Sequence, residues 1–180
     1  RNGVVLAYSK NSYNVEFLRD ADNRTDYDSA TYTDSLIKAI KIIEDGGGKT
    51  IDTSYIRLGE DGRLEYDWGV KSRAAQGARY KNFCQSMGFS ISESQKKNEK
   101  IEDKSKWDTS TWPTAEEAYT KLRALWFIPE DLSFEDANKV ISIRQEVLLN
   151  NYRAYEPITI AYDVSMEVVA AIKLGADELT

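Results

Sequence analysis

Residues 150–174, NNYRAYEPITIAYDVSMEVVAAIKL, decide how this chain folds. Read with the residues before them, they extend a seven-residue repeat. Val140, Val147, Ala154, Ala161 and Val168 form one apolar column, and Ile141, Leu148, Tyr155, Tyr162 and Val169 form a second. Adjacent columns at that period keep one apolar face buried along a helix of about ten turns, at roughly 3.6 residues per turn. Pro157 lies inside the run and predicts a kink, because proline removes a backbone hydrogen bond and clashes with the preceding turn. A second reading is open: Ile158, Ile160, Tyr162 and Val164 alternate with Thr159, Ala161, Asp163 and Ser165, which suits a strand. The columns on both sides of Pro157 favour the helix. The expected class is therefore mainly α: a helical bundle with a long C-terminal helix and a small β-hairpin insertion.

Upstream, helix punctuation is plain. Thr114 and Glu117 make a capping box for a helix through Tyr119, Leu122, Leu125 and Trp126 that ends before Pro129. Ser133 then starts the next. Earlier, Thr33 reads as an N-cap and Asp34 suits the positive helix end, with Leu36, Ile37, Ile40 and Ile43 following at helical spacing. That pattern stops at Asp45, where Gly46, Gly47, Gly48, Lys49 and Thr50 follow. The glycine run ending in Lys-Thr resembles the tail of a phosphate loop. Such a loop needs a glycine where Ile43 stands, a strand before it and a helix after it. Here the order is reversed, and the glycines read as a helix stop. "TIDTSYIRL" and "RLEYDWGV", around Gly59–Gly62, predict a hairpin over about residues 50–70. Ser72–Met87 reads as a helix closed by Gly88. Residues 89–112, poor in apolar side chains, read as a mobile surface loop docked by Trp107 and Trp112. All of this fits one domain of 180 residues.

The first thirty residues are less structured in their signals. Val4–Tyr8 is a short apolar run, and Asp20, Asp22, Asp26 and Asp28 crowd a polar stretch. Counted from Asp20, a calcium loop would want glycine at Thr25 and glutamate at Thr31, so that reading fails. Asn23-Arg24-Thr25 fits the glycosylation sequon, a triplet that also arises by chance.

Composition closes several chemistries. The chain has no histidine and one cysteine, Cys84. Histidine-based triads, imidazole zinc ligation, internal disulfides and cysteine metal clusters are excluded. Cys84 sits among apolar residues, far from any activating base. The net charge of −6 argues against a nucleic-acid partner. The basic stretch at 96–100 is followed by Glu102 and Asp103 and reads as solvated. No apolar run is long enough to span a membrane. Any catalysis would rest on Asp, Glu, Lys, Tyr or Ser; paired carboxylates could work as in glycoside hydrolysis, with Glu130 and Asp131 or Glu135 and Asp136 as candidates by adjacency. Acids at helix starts are also expected for dipole reasons alone. No cofactor and no metal are expected.

Aromatic residues point towards protein contact. Eleven tyrosines and four tryptophans are many for this length, and amphipathic aromatics favour interfaces. The interaction candidates are Trp107, Trp112, Tyr152, Tyr155 and Tyr162. In residues 122–172, a short helix, an acidic turn and a long final helix with an early Arg resemble the minor pilus subunits of bacterial type IV secretion and conjugation systems. The resemblance implies an exported helical bundle that works through protein contacts, and it transfers no functional residue. The expectation is a non-enzymatic interaction or structural component of the bacterial envelope, binding other proteins or itself, with a periplasmic or extracellular setting. A start at Arg1 rather than Met fits a processed protein. The alternatives are a carboxylate-dependent glycan-cleaving enzyme and a cytoplasmic helical adaptor or chaperone.

Overall fold

A computed structural model describes residues 12–18, 26–150 and 156–175. The Val4–Tyr8 run, the sequon, Tyr152, Ala154 and Tyr155 lie outside them. Six helices stand in the order α1 (Asp26–Asp45), α2 (Arg73–Ser86), α3 (Ser92–Asn98), α4 (Ala115–Leu125), α5 (Phe134–Leu149) and α6 (Met166–Leu174). The strands are β1 (Tyr13–Phe17), β2 (Lys49–Thr50), β3 (Ile56–Leu58), β4 (Leu64–Tyr66) and β5 (Ile158–Val164). The class is predominantly helical but mixed. No described helix is long and apolar enough to cross a membrane.

The long C-terminal helix is not there. α5 ends at Leu149, Ile158–Val164 is a strand, and only nine residues of helix follow it. β5 is the middle strand of an antiparallel sheet ordered β1-β5-β2. Pro157 cannot continue a helical ladder, and β-branched Ile158, Thr159, Ile160 and Val164 suit a pleated surface once partner strands exist. Those partners come from Tyr13–Phe17 and from Lys49–Thr50, more than a hundred residues upstream. The first apolar column survives as burial without a common helix, with Ala161 buried on the strand and Val168 on α6, whereas Tyr162 of the second column is exposed. Asp163, with φ 54°, marks an irregularity in the pairing with β1.

α5 is the central element. From Ala137 to Gln145 every residue except Lys139 is buried. A helix covered all round belongs in the middle of a core. α1, α2, α4 and β5 all pack against it. Its buried Arg144 donates to Thr33 Oγ1 at 2.6 Å and to the Ser29 carbonyl at 3.1 Å, and lies over the Tyr32 and Trp126 rings. Thr33 is therefore a core residue eight positions into α1, not its N-cap; that helix begins at Asp26.

Three helices stop in the same way. In α1, Gly47 N–H donates to Glu44 O and Gly48 N–H to Ile43 O; Gly88 and Phe89 repeat the pattern after α2, and Phe127 and Ile128 after α4. The left-handed position is held by Gly47 and Gly88, as expected, but by a phenylalanine in the third case, Phe127 at φ 55°. The glycine run is thus a helix stop. Gly48 also needs its missing side chain, because a Cβ there would lie 2.9 Å from the Ile43 side chain and 3.2 Å from that of Val164. The turn delivers Lys49 and Thr50 to β5, whereas the hairpin expectation had placed Thr50 at the start of the 50–70 ribbon. The ribbon itself is β3 with β4, Leu58 opposite Leu64.

That ribbon is fastened to α5 by side chains. Gln145 Nε2 donates to Thr53 O at 2.9 Å, Tyr55 N–H donates to Gln145 Oε1 at 3.0 Å, and Ser54 N–H donates to Ser142 Oγ at 3.0 Å. Residues 89–112 contain α3 and a 3-10 turn at Lys104–Lys106. They are tied down by Asn98, whose amide donates to Asp108 O and accepts from Asp108 N–H, each at 2.9 Å.

Candidate functional site

Turning the chain at Gly46–Gly48 and crossing it with the first turns of α5 leaves a cleft of about 720 Å³. Glu44 ends α1, Lys49 and Thr50 form β2, Asp52 and Arg57 flank the way into the ribbon, and Phe134, Glu135, Asn138 and Lys139 come from α5. Its size falls within the usual range for ligand pockets, about 300–1,000 Å³.

The charges inside are organised. Lys139, with 17% of its side chain exposed, reaches Glu44 at 2.9 Å, Asp136 at 3.1 Å and Glu135 at 3.5 Å. Burial alone would lower the Lys139 pKa, but hydrogen bonds to Glu44 and Asp136 outweigh it and hold the ammonium above its ordinary value. Three carboxylates around one cation leave the cluster at net −2. Across the cleft, Arg57 is committed to the Asp52 carboxylate and to the Asp52 carbonyl at 2.9 Å. Leu58, 55% exposed, and Phe134 supply an apolar border. Asn138 is 5% exposed, and its Oδ1 has no hydrogen-bond partner among the described residues. A buried carbonyl without a donor is unusual, costing about 1–3 kcal/mol.

The segment after β2 also borders a second recess of about 300 Å³. Thr50 and Asp52 line the first, while Ile51 and Thr53 line the second with Glu146, Pro157, Ile158 and Tyr162.

The residues singled out from the sequence are dispersed. Tyr162 is 60% exposed on β5 and borders the second recess. Trp112 is 4% exposed and stacks edge-on against Tyr80 at 4.8 Å, so it clamps the core. Trp107 is half-buried, donates to Ile101 O at 3.2 Å and lies under Lys81 and Lys104. They belong to an aromatic cluster with Tyr55, Tyr66, Trp68 and Phe83, where the Tyr66 and Tyr80 hydroxyls both donate to Pro113 O. Burial pushes the Cys84 thiol beside them up to about 12, which keeps it protonated and inert.

The carboxylate pairs are committed elsewhere. Asp136 binds the Ser133 hydroxyl at 2.8 Å as well as Lys139; these bonds hold it below the usual carboxylate range. A general acid for glycan cleavage needs the opposite shift. Glu130 and Asp131 are exposed in the α4–α5 turn. Among the described residues no group of three or more His, Cys, Asp or Glu side chains could hold a metal ion.

The sequence signalled part of the cleft. Glu135, Asp136 and Lys139 have the three- and four-residue spacing of a helix ion-pair set. Nothing in it signalled Glu44 or the orphaned Asn138, which meet only through the crossing of α1 and α5. The sequence matches no protein-family model, and no curated protein is similar to it.

Proposed function

We propose that this protein is a non-enzymatic interaction component whose work is done at the charged cleft and its border. The observation that carries the reading is the state of the acids lining the cleft: Glu44 and Glu135 are ion-paired with Lys139, and Asp52 with Arg57. Such pairing presents charge without a free base or a nucleophile. A cleft of this kind recognises rather than reacts. The envelope setting, as a secretion-system or pilus accessory, rests on the resemblance over residues 122–172. The fold adds nothing to it, because the long final helix is replaced by α5, β5 and α6.

Two measurements test the reading. Incubated with peptidoglycan or soluble glycans, the protein releases no reducing ends; turnover abolished in an E135Q/D136N variant overturns the proposal. A photo-crosslinking residue placed at the exposed positions 58, 135 or 162 in host cells gives adducts with a discrete protein. Failure at all three positions also overturns it.

A further inference from the structure

We propose that the outer face of α6 is a contact surface for a second copy of this chain, packed antiparallel about Ala170. The inference stands on a different element from the cleft and does not depend on it. The first observation is a mismatch between composition and cover. Every residue of α6 except Glu167 and Lys173 is apolar, yet only Val168 among them is buried. A helix apolar on every side is expected to be covered on more than one. The inner side is covered: Val168 packs where Gly46 leaves room at the end of α1, and Gly175 lies against Ile42. On the outer side Met166 is 56% exposed, Leu174 is 86% exposed, and Ala170 between them is exposed as well. At about 100° per residue these three, with Glu167 and Lys173, fall within an arc of about 120° centred on Ala170. An apolar stripe rimmed by charge marks a contact site.

The second observation selects the occupant: this face is complementary to its own reverse. Met166 and Leu174 stand four residues either side of Ala170, and Glu167 and Lys173 stand three. A two-fold axis at Ala170 brings Met166 level with the second copy's Leu174, and Glu167 level with its Lys173. A parallel copy would instead set acid level with acid and base level with base, so charge favours the antiparallel order. The small side chain of Ala170 at the axis lets the two helices approach to about 8–10 Å. The same patch serves both copies, so the assembly closes at two. One face of a nine-residue helix buries less than the roughly 1,200 Å² of a stable interface, and the dimer is accordingly weak, with a Kd of about 0.1–1 mM.

The test uses the full chain in sedimentation and small-angle scattering at concentrations spanning that Kd. The average mass rises from one chain towards two. Leu174→Glu weakens the association at least tenfold and, at so exposed a side chain, leaves the melting temperature within a few degrees. Helix order is read with cysteines, since Cys84 is buried. An equal mixture of Met166→Cys and Leu174→Cys proteins under mild oxidant gives mixed disulfide beyond the statistical half. A mass that stays at one chain, an association untouched by Leu174→Glu, or mixed disulfide at or below the statistical half each overturns the proposal. None of these outcomes bears on the cleft, whose glycan and crosslinking tests stand apart.

Discussion

Replacing Gln145 by leucine isolates the device that joins the β3–β4 ribbon to the body. Gln145 is fully buried and serves two backbone groups, donating to Thr53 O and accepting from Tyr55 N–H. Leucine fills nearly the same volume, so the packing loss is small. What remains is an unpaired N–H at Tyr55, which is partly buried, and a C=O at Thr53, which is exposed and recovers a water. An orphaned buried group costs about 1–3 kcal/mol, and a recovered one only a fraction of that. The expected loss is therefore about 2–3 kcal/mol, a large part of the roughly 5–15 kcal/mol that holds a domain folded. Urea unfolding reads it as a midpoint lowered by about 1 M at unchanged slope. Hydrogen exchange adds a local readout: protection of the Tyr55 amide falls, and near-ultraviolet dichroism weakens because the Tyr55 ring packs on Trp68 at 5.0 Å. A loss below about 0.5 kcal/mol with Tyr55 protection intact would refute the reasoning, since the ribbon would then be held by something other than Gln145.

Three further outcomes follow from the same structure. Gly47→Ala should cost about 1–2 kcal/mol in thermal unfolding, because φ is 78° while no atom lies within 4 Å of a new Cβ; Gly47→Asn, which tolerates that conformation, should cost less. Gly48→Ala should cost about 1–3 kcal/mol by overpacking against Ile43 and Val164, and no left-handed conformer explains it, so asparagine gives no rescue there. The Asp136 pKa is depressed in the fold, so its contribution is complete above the unfolded value of about 4 and disappears as pH falls through the lower folded value. D136N should accordingly flatten the acid limb of the stability–pH profile and leave its shape near neutral pH unchanged, as followed by urea unfolding at a series of pH values.

The starts of α2, α4 and α5 and the glycine stops were legible because their chemistry is local, whereas α1 begins at Asp26, a turn or more before the expected Thr33. The Thr114–Glu117 capping box closes as its spacing predicts, with Glu117 N–H donating to Thr114 Oγ1 at 3.2 Å and Thr114 N–H to Glu117 Oε2 at 2.8 Å. Ser133 caps α5 in the same manner. The left-handed stop at Phe127 was invisible as such, because bulky residues rarely hold that position; the carbonyl of Trp126 just before it accepts from Thr33 and Arg144 across the core. Composition did not announce α3 within residues 89–112, because buried polar side chains, Ser94 and Asn98, are satisfied within the segment.

By itself, the sequence determined where α2, α4 and α5 begin and where α1, α2 and α4 end, that histidine and paired-cysteine chemistry is closed, and that the glycine run before Lys49 is no phosphate loop. The first and last depend on residues within about five positions of one another, where side chain and backbone meet without help from the fold, and the second on composition alone. Only the tertiary structure decided the state of Ile158–Val164 and the existence of the cleft. A strand is settled by its neighbours, and β5 has Tyr13–Phe17 on one side and Lys49–Thr50 on the other. Its apolar spacing served a seven-residue and a two-residue period equally well. The cleft brings Glu44 to Lys139 across ninety-five positions, a meeting set by how α1 crosses α5 and written in no local pattern.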